Sequence, residues 1–299
     1  MGHGHHHAPA SHGRAFAIGV ALNTAFVLVE AVFGVLSGSM ALVADAGHNL
    51  SDVLGLVVAW GASVLAARPP SARFTYGFKS SSILAALANA AMLLAALGAI
   101  TVESVRRLLT PEPVVGSTVV AVALVGILIN TATALLFAKG RHSDINLRGA
   151  FLHMAGDAAV SAGVVVAGLL TLRTGALWID PATSLVIVGV IAWGTWGLAK
   201  DALKLGLAGV PPGIDESAVR AFLAARPGVS AVHDLHIWAM STTETALTAH
   251  LVMPGNHPGD AFLHDLAHEL EHHFGIGHAT VQVETSADAS CALESDGVV

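Results

Sequence analysis

Residues 41–52 read ALVADAGHNLSD, and residues 149–160 read GAFLHMAGDAAV. Each stretch sets a histidine in an apolar run with an aspartate four places on: His48 with Asp52, and His153 with Asp157. On a helix such residues stand one above the other, with Cβ atoms about 5–6 Å apart. A charge in hydrocarbon costs about 2.5–3.5 kcal/mol on insertion scales. Polar side chains that only bind helices together need no repeated spacing, so the doubled pattern predicts two halves of one metal cage. Two imidazoles and two carboxylates suit a divalent transition metal, zinc first. Asp45 shares the His48 face as a reserve ligand, a partner for an imidazole N–H, or a boundary residue near the outer membrane face.

The rest of the chain agrees with a membrane setting. Of 299 residues, 54% are hydrophobic and 12% are charged, about half the charge of a soluble domain. Six apolar stretches of spanning length run over roughly 15–36, 39–66, 82–105, 115–138, 147–172 and 181–203. Ser37-Gly38-Ser39, Pro69-Pro70, Pro111-Glu112-Pro113 and Pro211-Pro212 punctuate them. No cleavable signal segment is read at the start. One set of span flanks carries Arg14, Arg68, Arg73, Lys79, Lys139, Arg141, Arg148, Lys200 and Lys204, and the other only Arg106, Arg107 and Arg173. The positive-inside rule then places both termini in the cytoplasm. Alanine and glycine richness resembles bacterial sequences, so the expected location is a bacterial inner (plasma) membrane, crossed several times. A net charge of −7 without a basic stripe argues against nucleic-acid binding. A single cysteine, Cys291, excludes an intrachain disulfide and a cysteine zinc finger; in its polar tail it reads as incidental rather than as a metal relay.

After Pro212 the hydropathy falls. Helix, strand, strand, helix and strand are predicted over Asp215–Arg226, Val229–Met240, Glu244–Met253, Pro258–Phe274 and His278–Glu284. The expected organisation is a His-rich tail (1–13), a six-helix transmembrane domain (14–208), a small α+β domain (209–286) and a C-terminal tail (287–299). Asn23, Glu30 and Asn130 lie in spans, where interhelical hydrogen bonding and a hydrated or proton route are both open readings. In the tail, His3, His5, His6, His7 and His12 form a weak metal-collecting tract. His268-Glu269-Leu270-Glu271-His272 matches the H-E-x-x-H protease pattern. The helix's apolar stripe through Leu266 and Leu270 turns those histidines elsewhere, and with His264 they form an i, i+4, i+8 row.

LNTAFVLVEAVFGVLSGSMALVADAGHNLSD, RFTYGFK, the second His-x-x-x-Asp and VHDLHIWAM occur in order between about Arg14 and Glu284. Together they resemble the cation diffusion facilitator family of zinc exporters. The resemblance implies six transmembrane helices, a cytosolic ferredoxin-like domain, a homodimer, and exchange of a divalent cation for protons. It carries the transport site onto His48, Asp52, His153 and Asp157, with His48 implying zinc over cadmium. It also carries a regulatory zinc site onto His233, His250 and Glu284, with His264 contributing. Glu284 stands where some members have Asp, and Gln282 where some have a ligand. His236 reads as packing or as support for the ligands. The loop 68–79 holds no His, Asp or Glu, so an interfacial metal site is not expected there, and Ser82 replaces a Glu common after TYGF.

The expected function is therefore a non-enzymatic secondary transporter. It exports Zn2+ in exchange for protons, uses zinc as cargo and regulator, needs no organic cofactor, and contacts lipid. Tuning to Cd2+, Co2+ or Fe2+, and a membrane metal sensor that binds without carrying, are the competing readings. An intramembrane metalloenzyme needs an open coordination position, which a four-ligand cage lacks.

Overall fold

The computed structural model describes residues 12–138, 145–255, 257–286 and 291. The His-rich stretch up to residue 11 lies outside them. Six long helices come first: α1 (His12–Ser37), α2 (Met40–Ala66), α3 (Ser81–Leu109), α4 (Gly116–Ala138), α5 (Ile145–Thr174) and α6 (Ile179–Gly206). Then follow α7 (Glu216–Ala224), β1 (Ala231–Ala239), β2 (Thr245–Val252), α8 (Asp260–Phe274) and β3 (His278–Glu284). The helices overrun several of the apolar stretches read from sequence, because polar end turns such as Arg106 and Arg107 in α3 stay helical beyond the hydrocarbon-like run. Five of the six, α2 to α6, are long and apolar enough to cross a bilayer. In α1 the apolar part among the described residues is Ala21–Ser37.

The chain divides into two compact units. The first holds residues up to Leu56 and Ala91–Trp196. Its core gathers Phe26, Leu42, Leu97, Val119, Val164 and Ile187. Leu36, Trp193 and Trp196 point outward, which in a helical membrane protein is the lipid side. Helices α4 and α5 pack along their length, and glycine sets their spacing. A Cβ on Gly168 would come within 2.8 Å of Val120, and one on Gly116 within 2.9 Å of Leu172. Close approach through small residues is the usual way helices pack in lipid, where no hydrophobic drive brings them together. Asn23 of α1 donates to Thr133 of α4 at 3.3 Å, so it serves as an interhelical link.

A network fixes where α2 begins. Gly38 turns the chain with φ of 68°, a conformation that glycine adopts without strain. Ser39 then accepts from the Leu42 amide at 3.2 Å. The Asp180 carboxylate of α6 accepts from the Ser39 hydroxyl at 2.5 Å and from the Met40 amide at 2.6 Å. A helix N-terminus leaves unpaired N–H donors and partial positive charge, and an anion answers both. Arg107 donates to the Gly38 carbonyl at 2.5 Å. The first turn of α2 is thus anchored, and His48 and Asp52 follow two and three turns later.

The second unit holds Val57–Ala90 and the chain from Gly197 onward. Its sheet has the order β1-β2-β3, with β1 antiparallel and β3 parallel to β2. Leu223 of α7, Leu247 and Leu251 of β2, Leu270 of α8 and Ile276 are fully buried together. Asp215 caps α7 by accepting from the Ser217 amide, and Gly275 ends α8 in the left-handed region. The strands are shorter than read from sequence, β1 starting at Ala231 and ending at Ala239, and β2 running from Thr245 to Val252. At their shared end the reason is the tight turn at 241–243: the Ser241 hydroxyl accepts from the Thr243 and Glu244 amides, so these residues bond within the turn instead of the ladder. The unanticipated feature is an irregularity in β1 between His233 and His236, where Asp234 adopts φ of 50°.

Replacing Asp180 by Ala strands buried donors at the start of α2. The variant is expected to lose about 1–3 kcal/mol of stability, read as a lower melting temperature of the purified protein in detergent. An unchanged melt would show that α2 is anchored elsewhere.

Candidate metal centres

The four residues singled out in the apolar helices converge. His48 Nε2 lies 3.6 Å from Asp52 and 3.9 Å from Asp157. His153 Nε2 lies 3.3 Å from Asp52 and 3.7 Å from Asp157. Each histidine therefore meets the carboxylate of its own helix and that of the other helix. The imidazole rings approach edge to face, with centroids 6.1 Å apart. One ligand atom each from His48, His153 and Asp157 fits within a 4.8 Å cluster, and Asp52 stands at its edge in reach of both rings. His48 Nδ1, Asp52 Oδ2 and Asp157 Oδ2 are buried without a hydrogen-bond partner. Orphaned buried polar atoms are costly and rare in folded proteins. Here Asp52 Oδ2 and Asp157 Oδ2 lie 3.3–3.7 Å from imidazole Nε2 atoms, and a cation with short bonds between them would satisfy both, so the residues fit a divalent metal.

Asp45 sits beside this centre rather than in it. It accepts from Ser161 of α5 at 3.2 Å and from Asn49 at 3.4 Å. Glu30 of α1 is fully buried, with neither carboxylate oxygen paired. It forms an inner acidic neighbourhood with Asp45. Helical spacing alone puts Asp45 on the His48 face. The Ser161 contact had no signal, because one serine in an apolar helix is unremarkable.

A second gathering lies on the sheet. His233 and His250 face each other across β1 and β2 in register, with ring centroids 5.0 Å apart. His233 Nε2 is 3.2 Å from Glu284 Oε2, and His250 Nδ1 is 3.1 Å from Glu284 Oε1. Cys291 Sγ lies 3.6 Å from His250 Nδ1, and the four side chains form one ligand cluster. Burial works to raise the Glu284 carboxyl, but contacts from His233, Cys291 and His250 outweigh it and hold it below the usual range. His264 is not among these ligands: its side chain is 85% exposed, and the carboxylate it meets is Asp265 at 4.0 Å. The helical stripe that buries Leu266 and Leu270 turns position 264 to solvent. His236 Nε2 lies 2.9 Å from Asp234. In the H-E-x-x-H segment His268 and His272 stack in the open, and Glu269 is committed to Arg226 at 2.5 Å.

A helical membrane unit with a His/Asp metal centre, followed by a small α/β domain, defines a membrane metal-ion carrier. The family profiles specify it further. One described as the cation efflux transmembrane domain matches residues 16–205, and one described as the cation efflux protein cytoplasmic domain matches residues 211–286. Relatives align over almost the whole chain. The zinc transporter ZitB of Escherichia coli K12 is 34% identical over 95% of this chain and 93% of its own length. The cation efflux system protein CzcD of Alcaligenes sp. is 35% identical over 95% and 90%. The cadmium, cobalt and zinc/H(+)-K(+) antiporter of Bacillus subtilis is 32% identical over 95% and 93%. The chain belongs to the cation efflux, or cation diffusion facilitator, family. It is a multi-pass membrane protein whose relatives carry metal cations.

The two halves of the intramembrane centre can be tested by binding. Removing one ligand, as in Asp52→Ala or Asp157→Ala, is expected to weaken zinc binding there beyond the roughly 10–100-fold that loss of an outer partner brings. Asp45→Asn is expected to stay within that range. Calorimetric titration of the purified protein reads both, and equal losses in all three would return Asp45 to the ligand set.

Proposed function

We propose that this protein exports Zn2+ from the cytosol in exchange for protons, using His48, Asp52, His153 and Asp157 as the transport site. One observation carries the reading: four ligand side chains from α2 and α5 meet inside an apolar helical unit and leave buried atoms unpaired. The chemistry of the donors supplies the coupling. Metal binds neutral imidazole and ionised carboxylate, so binding and protonation compete at the same atoms. An imidazole ordinarily titrates near pH ~6.5. Facing an acidic exterior, the centre takes protons and releases the ion. Facing the cytosol, it gives up protons and captures one. Rocking of helices that exposes the centre to one side at a time completes the cycle.

Around this core we place the finer assignments. The lysine and arginine bias puts both termini and the α/β domain in the cytosol. The match of residues 211–286 to a cytoplasmic domain supports that orientation, and the same domain serves as a homodimer contact. His233, His250 and Glu284 bind a regulatory metal ion. The His-rich tail raises local zinc concentration. A broader cargo has one specific support: relatives named for cadmium and cobalt as well as zinc align over 95% of this chain.

Proteoliposomes with an imposed pH gradient test the proposal. Wild type is expected to move zinc against proton flow, and Asp157→Ala to lose that flux at least about tenfold, since one ligand of a tetrahedral set is then missing. Zinc movement without opposing proton movement would refute the exchange. Zinc binding without any movement would make the protein a sensor. Cadmium, cobalt and manganese run in parallel would rank the cargo.

A further inference from the structure

We infer that the cluster on the sheet is a closed four-ligand site, two imidazoles and a carboxylate completed by the Cys291 thiolate, for a thiophilic divalent ion such as zinc, cobalt or cadmium. The inference rests on reading His233, His250 and Glu284 as metal ligands and adds the atom that closes their shell.

One ligand atom from each of the four side chains lies within 4.8 Å of the others, close enough to share one tetrahedral ion. Bonds of about 2.0–2.2 Å to nitrogen and oxygen and about 2.3 Å to sulfur set neighbouring ligand atoms about 3.2–3.6 Å apart. The contacts here are 3.1 Å from His250 Nδ1 to Glu284 Oε1, 3.2 Å from His233 Nε2 to the other carboxylate oxygen, and 3.6 Å from Cys291 Sγ to His250 Nδ1. Both histidines are more than nine-tenths buried, at 6% and 9% exposure. They are therefore not solvated surface imidazoles that happen to be adjacent. Neutral imidazoles with one carboxylate and one thiolate carry two negative charges, which balance a divalent ion. Sulfur narrows the choice of metal toward soft and borderline ions.

The backbone aims the ring of His250 at this shell. Asp234 occupies the left-handed region at φ of 50°, where aspartate is tolerated better than most residues. The irregularity it creates in β1 sends its carboxylate to His250 Nε2 at 3.4 Å and His236 Nε2 at 2.9 Å. A carboxylate on the far nitrogen fixes the tautomer and turns Nδ1 toward the metal, the usual support of a ligating histidine. Asp234 is thus a positioning residue. Because Cys291 follows β3, an ion held here ties this residue to the β1–β2 hairpin, and alkylation of its thiol breaks that tie.

Cobalt loading of the full-length protein in detergent tests the proposal. The chain has one cysteine, so a near-ultraviolet thiolate-to-cobalt charge-transfer band can only come from Cys291. The band is expected to saturate at one ion per chain and to vanish in Cys291→Ser. Asp234→Asn is expected to keep the band while weakening cobalt binding about 10–100-fold. Zinc is expected to slow alkylation of the wild-type thiol by N-ethylmaleimide, a readout that needs no variant to fold. Cobalt bound without the band, with alkylation indifferent to zinc, would overturn the role of Cys291. If His250→Ala then bound one ion fewer than wild type, the His233–His250–Glu284 reading would survive that failure. If it bound the same number, both would fall.

Discussion

Hydrocarbon does not tolerate a lone carboxylate or imidazolium, and this constraint organises the helical unit. Asp52 and Asp157 are stabilised there by their approach to His48 and His153, and that approach crosses between α2 and α5. The pairs remain loose, at 3.3–3.9 Å, and leave orphaned atoms. The unit therefore holds its polar groups in a state that a cation improves. Other features of the unit keep the two helices in place for that exchange. Asp180 and Arg107 fix the first turn of α2. Ser161 of α5 reaches Asp45 of α2, about one turn from His48. Gly116 and Gly168 let α5 lie close against α4.

The sheet solves a similar problem with different geometry. Helical ligands come in i, i+4 pairs on one face, so two segments deliver four groups. Strand ligands come from cross-strand partners: His233 and His250 are in register on β1 and β2, and Glu284 ends β3. A tight turn and a bulge set the positions of the two rings. The candidate ligand atoms on the sheet lie closer together, at 3.1–3.6 Å, than the 3.3–3.9 Å pairs of the helices. The looser centre suits the proposed transport role, which needs release, and the tighter one the proposed regulatory role.

The amphipathic and apolar periods made the six helices and the αββαβ order legible, because each element buries a long regular face. The convergence of the histidines and aspartates of α2 and α5 was partly legible too, since i, i+4 spacing on a helix converts directly into proximity within each pair. The sheet cluster was only partly so. The set His233, His250, Glu284 and His264 was assigned by resemblance; the turn at 241–243 brings the first two opposite each other, but the burial of Leu266 and Leu270 rotates His264 to solvent. Cys291 and Asp234 carried no readable signal. A cysteine in a polar tail has no period to place it, and a bulge is a departure from the period-of-two pattern on which strand reading depends. Glu30 could be read only as a buried acid with two possible uses, because its neighbours come from another helix.

The hairpin that carries two sheet ligands also grips the segment joining α2 to α3. Lys79 pairs with Glu244, Ser80 donates to the Met240 carbonyl at 3.2 Å, and the Thr242 amide donates to Ser82 at 3.1 Å. Tyr76 meets His278 at the start of β3, with ring centroids 5.5 Å apart. These contacts use both charge and backbone. Ser82 accepts from the hairpin turn and forms no charge pair there. A hydroxyl is small and neutral, so the join at this point is set by geometry rather than by long-range attraction and is insensitive to salt. The charge pair of the join, Lys79 with Glu244, is partly exposed, and such pairs contribute about 0–1 kcal/mol. The register of the α2–α3 segment on the hairpin therefore depends chiefly on the turn at 241–243, whose shape Ser241 fixes by accepting from two amides.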